Sequence, residues 1–456
     1  MSLAQRWHEI AGNRLVRSVG LLAGGTAFAQ ALMLLALPLL TRLYTPDDFS
    51  LLAIYSSIVG TIFVAAGLRF DIAIPLAEEE EDALGLLALA LLFSTLSAVL
   101  ALVVFMLGRE QIASWLGRGT LGGLEWFIPA GIFCASTYNA MQMWATRRKA
   151  FGLIARTRLT QSVSAVSVQA GVGWWSGSPL GLMAGQLLNH GAGSLLLARG
   201  LVADCRRERL SPSVTNMRAM FVRYQRFPKF STFEALANNA ALQLPVLLIA
   251  AIVAGPEAGF LVLAMQVMQA PVALISSAVG QVYLAHAAKE EREGRLAAYT
   301  ADTLAMLTKV GVGPLCFAGI VAPVAFPFVF GAAWERSGVL VAWLTPSFLL
   351  QFLTSPLSMS LHVLQKQREA LMLQVAGLVI RIGLVVGAWH AMGGYIPETY
   401  AVSGGVFYAL YLVVILRCVR LSATDLGRLL GKLSVPVCAW IVAGVVVNGV
   451  MRWAVG

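Results

Sequence analysis

Read for polarity alone, the chain is a succession of apolar stretches of roughly twenty residues, the length a helix needs to cross a bilayer, separated by short polar joints. They fall at 19–41, 49–75, 84–107, 123–146, 153–175, 178–198, 229–254, 258–285, 301–326, 338–363, 370–391, 396–416 and 433–451. None shows the ten-residue alternation of barrel strands, so each predicts a helix. The fold class that follows is an all-α polytopic membrane protein. The longest interruption is basic: Arg199, Arg206, Arg207, Arg209, Arg218, Arg223, Arg226 and Lys229 lie between the sixth and seventh stretches. It predicts four parts: an N-terminal bundle of six helices at 1–198, a basic cytoplasmic hinge at 199–228, a C-terminal bundle of six at 229–417, and a cytoplasmic loop with a thirteenth transmembrane helix at 418–456.

Composition agrees with this pattern. Of 456 residues 58% are hydrophobic and only 12% charged, too few polar side chains to cover a soluble globule. The net charge of +10 is explained by topology and points to no nucleic-acid partner, because the cations sit in short joints. With the N-terminus inside, 25 of the 33 lysines and arginines fall in cytoplasmic segments and 5 outside, the asymmetry of the positive-inside rule. The joint Glu78-Glu79-Glu80-Glu81-Asp82 is acidic yet falls inside; acidic residues contribute little to orientation. The motif Ala27-Phe28-Ala29 looks like a signal-peptidase site, but the apolar run continues past it and reads as a retained first span. The five cysteines show neither metal-ligand spacing nor a disulfide framework.

Six spans per half return the second half to the first half's orientation, which predicts a parallel repeat about the membrane normal. A trace of it survives in Pro38 followed by Pro46-Asp47-Asp48-Phe49, and in Pro245 followed by Pro256-Glu257-Ala258-Gly259-Phe260.

The stretch Gly24-Gly25-Thr26 through Pro38-Leu39-Leu40-Thr41-Arg42-Leu43-Tyr44-Thr45-Pro46-Asp47-Asp48-Phe49 is followed by Leu68-Arg69-Phe70-Asp71-Ile72-Ala73-Ile74-Pro75 ahead of an acidic joint. Together with Arg226-Phe227-Pro228-Lys229 through Gln243-Leu244-Pro245-Val246-Leu247-Leu248, these motifs resemble the polysaccharide biosynthesis and export proteins of the MOP superfamily, over about residues 14 to 420. The resemblance implies a Wzx-like flippase: two six-helix bundles in a V, moving undecaprenyl-diphosphate-linked oligosaccharide from the cytoplasmic to the periplasmic leaflet by alternating access, for surface polysaccharide or lipopolysaccharide synthesis. It implies the bacterial inner membrane, and polysaccharide polymerase or ligase machinery as partners. The thirteenth span departs from the commonest twelve-span pattern.

Ionisable residues inside spans are costly and therefore mark candidate sites. Arg381 lies near the middle of 370–391, where a cation suits a diphosphate or a structural ion pair. Lys309 and Asp302 stand seven apart, on one face of the ninth span; Lys309 suits substrate phosphate or a coupling acid, and both suit snorkelling. Arg69 suits bidentate capture of diphosphate or interfacial anchoring, while Asp71, two residues on, points elsewhere. Glu234 and Asn238 share a face of the seventh span, with Asn239 and Gln243 beside it; such a stripe lines a wet cavity or joins helices, and Gln266 and Gln269 extend it. The substrate-binding set is therefore Arg381, Lys309, Arg69, Asn238, Asn239 and Gln243, with Glu234, Asp302 and Asp71 as ion-coupling candidates. His190, His286, His362 and His390 share no face and read as packing or interfacial residues, and Trp174-Trp175 as a belt anchor.

No catalytic residue or cofactor is expected. No phosphate-binding glycine loop occurs, which argues against ATP hydrolysis. The runner-up function is an ion-coupled MATE-like exporter of small molecules, which needs buried acids for a cationic cargo. A membrane glycosyltransferase, polymerase or ligase needs a larger outside loop than any here.

Overall fold

The computed structural model describes residues 14–116, 122–211, 213–253, 255–364, 366–392, 395–421 and 423–455, and it is helical throughout, with no strand among them. Each of the thirteen apolar runs contains helix. Nine helices among the described residues are long and apolar enough to cross a membrane, or ten if the pair Phe227–Ala240 and Leu242–Ile252, bent by 48°, is one span. This is a multi-pass membrane protein. The shortfall from thirteen has local causes. The run 153–175 is diluted by polar residues, Gln161, Gln169 and several serines besides Arg156 and Arg158, and 178–198 is interrupted between Gly191 and Ser194.

The chain forms two compact units: residues 1–44 with 51–247, and residues 45–50 with 248–456. The first contains α1 (Arg14–Leu43), most of α2 (Pro46–Ala66), α3 (Phe70–Ala73), α4 (Glu80–Leu107), α5 (Arg109–Trp115), α6 (Leu124–Arg147), α7 (Phe151–Ser176), α8 (Leu180–Gly191), α9 (Ser194–Glu208), α10 (Val214–Arg223) and the first part of α11 (Thr232–Ile252). Here α1 packs on α7, α7 on α8, and α4 on α6. The second run, expected to be continuous over 49–75, breaks after Ala66. Leu68 (φ 50°) and Arg69 (φ 60°) are both left-handed, a conformation uncommon for bulky residues, before the chain re-enters helix at Phe70.

The basic stretch is itself helical. α9 runs on to Glu208 and α10 follows. Met220 of α10 is buried, in a core with Phe70, Leu86 and Trp144, and the Phe221 ring meets those of Phe70 and Phe93 at a tilt.

The second unit contains α12 (Glu257–Arg292), α13 (Leu296–Leu307), a π-helical turn (Thr308–Val312), α14 (Gly313–Phe330), α15 (Glu335–Leu357), α16 (Met359–Val363), α17 (Gln367–Met392), α18 (Ile396–Val419) and α19 (Ala423–Val455). α15 is its centre, packing against α12, α14 and α18. α19, the thirteenth apolar run, lies on α14: Asn448 Nδ2 donates to the Ile320 carbonyl at 2.5 Å and Trp440 meets Phe317 edge-on. The two proline-acid turns seen in the sequence meet in this unit. Ser50 Oγ donates to the Gly255 carbonyl at 2.9 Å and accepts the Gly259 N–H at 3.0 Å. A Cβ on Gly259 would collide with the Pro46 carbonyl, so only glycine permits this approach.

Candidate functional site

At one end of the first unit three acids of the joint, Glu78, Glu80 and Asp82, are paired by arginines from two places in the sequence. Arg147 Nε reaches both Glu80 oxygens at 3.3 Å, and its Nη1 donates to the Ala77 carbonyl at 2.6 Å. Arg148 pairs with Glu80 at 3.3 Å and Glu208 at 2.6 Å. Arg223 of α10 reaches Glu78 at 3.0 Å and Asp82 at 3.3 Å. The joint that looked anomalous beside so many basic segments is thus their counter-charge.

Arg69 sits on the strained turn next to this end. Its Nε is buried with no hydrogen-bond partner, and it forms no ion pair among the described residues. The reading that placed Arg69 and Asp71 on one helix fails because Arg69 precedes α3 in the left-handed conformation. Asp71 is buried and accepts Asn139 Nδ2 at 2.7 Å. On α11, Glu234 and Asn238 are exposed, Asn239 and Gln243 half-buried. Asn239 Nδ2 donates back to the Ala235 carbonyl at 3.0 Å, and the Gln243 amide packs over Gly60 of α2.

In the second unit Lys309 occupies the π-helical turn, a feature that often marks functional positions in helices. Lys309 and Asp302 are exposed, as are Gln266 and Gln269 on α12. Arg381 is 7% exposed. Its guanidinium lies 4.8 Å from the centre of the Phe407 ring and 5.7 Å from that of Tyr408. Gly377, one turn earlier, allows this seam: a Cβ there would lie 2.5 Å from Phe407. Nε of Arg381 has no partner, and no carboxylate pairs with the guanidinium among the described residues.

Only four charged residues are buried among those described: Asp71, Glu125, Arg381 and Glu398. Every one of the three acids has a donor. Asp71 has Asn139, Glu125 has Arg109 at 3.0 Å, and Glu398 has Arg336 at 2.6 Å, whose Nε also reaches both Glu257 oxygens at 3.2 Å. Asp71 and Arg381 are the two without an ion-pair partner among the described residues: Asp71 has an amide donor, whereas Arg381 has aromatic rings beside it. Glu125 and Glu398 escape the sequence reading because each lies in the first turn of an apolar run, where an acid resembles an interfacial residue. The rule that flags Arg381, an ionisable group within a span, would have flagged both.

The chain belongs to a recognisable lineage. No curated protein matches it. Among solved structures, the lipid II flippase MurJ in its inward closed conformation superposes with a TM-score of 0.70 at 13% identity, covering 95% of this chain and 98% of that one. An inward-facing multidrug resistance MATE transporter of the MOP superfamily gives 0.61 at 14% identity, covering 86% and 94%. A MOP superfamily transporter from Pyrococcus furiosus, described as having a binding pocket of reverse polarity, gives 0.52 at 15% identity, covering 88% and 98%. These identities speak to fold. The family model for polysaccharide biosynthesis proteins matches residues 39–338, well over half of the chain, and with the MOP-type helical fold it makes this chain a member of that polysaccharide biosynthesis family.

Proposed function

We propose that this protein flips an undecaprenyl-diphosphate-linked oligosaccharide from the cytoplasmic to the periplasmic leaflet of a bacterial inner membrane, with its N-terminus in the cytoplasm, by alternating access. The observation that carries this reading is the inventory of buried charge. Among the described residues each buried acid is served by a protein donor, and the single buried cation, Arg381, is held by aromatic rings without a carboxylate. A buried guanidinium is costly unless an anion meets it, and a diphosphate presents several acceptor oxygens to a forked donor. Arg69, with its orphaned Nε, and exposed Lys309 are the further phosphate contacts in this reading, with Asn238, Asn239 and Gln243 binding sugar hydroxyls. Glu234, Asp302 and Asp71 remain the candidates for ion coupling. The flippase role described for MurJ supports the class of substrate.

A MATE-like exporter of cationic molecules would instead need a buried acid free to receive its cargo. Among the described residues each buried acid already has a donor, and only one oxygen each of Glu125 and Glu398 is left without a partner.

The test is reconstitution of the purified chain in liposomes. A fluorescent polyprenyl-diphosphate-linked oligosaccharide should become accessible on the far leaflet with a rate that scales with protein, while an amphiphilic cationic dye should not cross. Dye transport without lipid flipping would overturn the proposal.

A further inference from the structure

Beyond the transported substrate, the first unit carries a face suited to a resident lipid. α7 is flanked by α1, where Gly25 meets Ala155, and by α9, where Gly200 meets Leu153. Between α1 and α7 runs a groove of about 430 Å³, with Gly24, Phe28 and Leu159 along it and Arg156 at its edge. A second groove, of about 410 Å³, follows α9 past Leu195, Arg199, Val202 and Arg206. Those four residues recur at helical spacing and are all exposed, so they form one stripe alternating apolar and basic.

The charge on this face is uncompensated for a definite reason. The acids of α9 lie on its other side and are consumed there: Asp204 accepts Trp144 Nε1 at 3.1 Å, and Glu208 takes Arg148. Arg156, Arg199 and Arg206 have no carboxylate among the described residues. An apolar groove that follows α7 from Gly152 to Leu159, about 10 Å and so room for one end of an acyl chain, beside a helix carrying Arg199 and Arg206 two turns apart, matches a phosphodiester headgroup above a hydrocarbon tail. A protein partner would need acidic side chains and a packed interface; a bilayer supplies anion and hydrocarbon together wherever this face lies in it.

We propose that the α1–α7–α9 face is a binding site for an anionic membrane phospholipid, with its phosphate held by Arg156, Arg199 and Arg206 and an acyl chain lying in the groove beside Gly152. No residue named above as a substrate contact takes part, so the site stands or falls apart from the flipping reaction.

The test uses the full chain in nanodiscs of equal phosphatidylglycerol and phosphatidylcholine, followed by extraction and counting of retained lipids by native mass spectrometry. Retained phosphatidylglycerol should exceed phosphatidylcholine, by about fivefold for each engaged arginine. Arg156→Gln/Arg199→Gln/Arg206→Gln should erase the preference. Gly152→Leu, which keeps every charge and points into open space, should also reduce it by obstructing the groove. Equal retention by the unmodified protein overturns the proposal, as does a preference that survives in both variants. Displacement of the lipid by inorganic phosphate alone would make this a free-anion site and equally refute it. If the triple variant fails to reach the membrane, Arg199→Gln and Gly152→Leu decide the matter singly.

Discussion

The second unit handles arginine in two opposite ways. At the start of α15, Arg336 is held by two carboxylates, Glu257 at the start of α12 and Glu398 at the start of α18, so one side chain ties three helix N-termini together. In the α17–α18 seam, Arg381 is more deeply buried and has rings in place of carboxylates. A charge satisfied by the protein serves the fold. A charge the fold leaves open in the interior is available to something that comes and goes, since cation–π contact is worth only about 0.5 to 2 kcal/mol and offsets part of the desolvation penalty.

This contrast can be broken by removing each partner in turn. Arg336→Ala leaves Glu398 buried without its cation and should cost about 3 kcal/mol, seen as a lower thermal midpoint in detergent and reduced abundance. Adding Glu398→Gln should recover part of that loss; no recovery would mean that Arg336 acts through packing. Arg381→Ala strands no carboxylate, so stability should fall by only about 1 kcal/mol. Flipping should nevertheless drop on the order of 30-fold, equivalent to about 2 kcal/mol of charge-assisted contact, with Arg381→Lys intermediate. A variant present at normal level with full transport would return Arg381 to the structural class. Asn139→Leu tests the same distinction in the first unit: Asp71 loses its donor, and the midpoint should fall by about 1.5 kcal/mol of stability.

The smallest effect is one of pH. The Arg148 guanidinium holds the Glu208 carboxyl below its ordinary value, so the contribution is present above the unfolded pKa and fades as pH falls through the lower, folded one. A thermal scan series between neutral and acid pH should show a slightly shallower acid limb in Glu208→Gln than in the unmodified protein.

Hydropathy makes the helical runs legible, nine or ten of them among the described residues as spans, because membrane helices declare themselves by length and apolarity. The Leu68-Arg69 turn was not legible. Both residues suit the preceding helix, and only Gly67 hints at a break. Depth within an apolar run found Arg381, whereas its ring partners come from another helix and no periodicity relates them. The acidic joint could be read only as an exception to charge bias, since its arginine partners are brought to it by tertiary packing from as far away as Arg223.

The Thr45–Ser50 segment belongs to the second unit although it is made with the first. Its turn is closed locally by Thr45 and Asp48, which exchange hydrogen bonds as a capping box, so it is shaped long before Gly255 and Gly259 are synthesised to receive Ser50. A gene split at the Ser211–Ser213 joint would therefore yield an N-terminal fragment carrying a preformed plug and a C-terminal fragment missing it. Co-expressed halves should complement one another, and the C-terminal half made alone should be short of one piece of its own core.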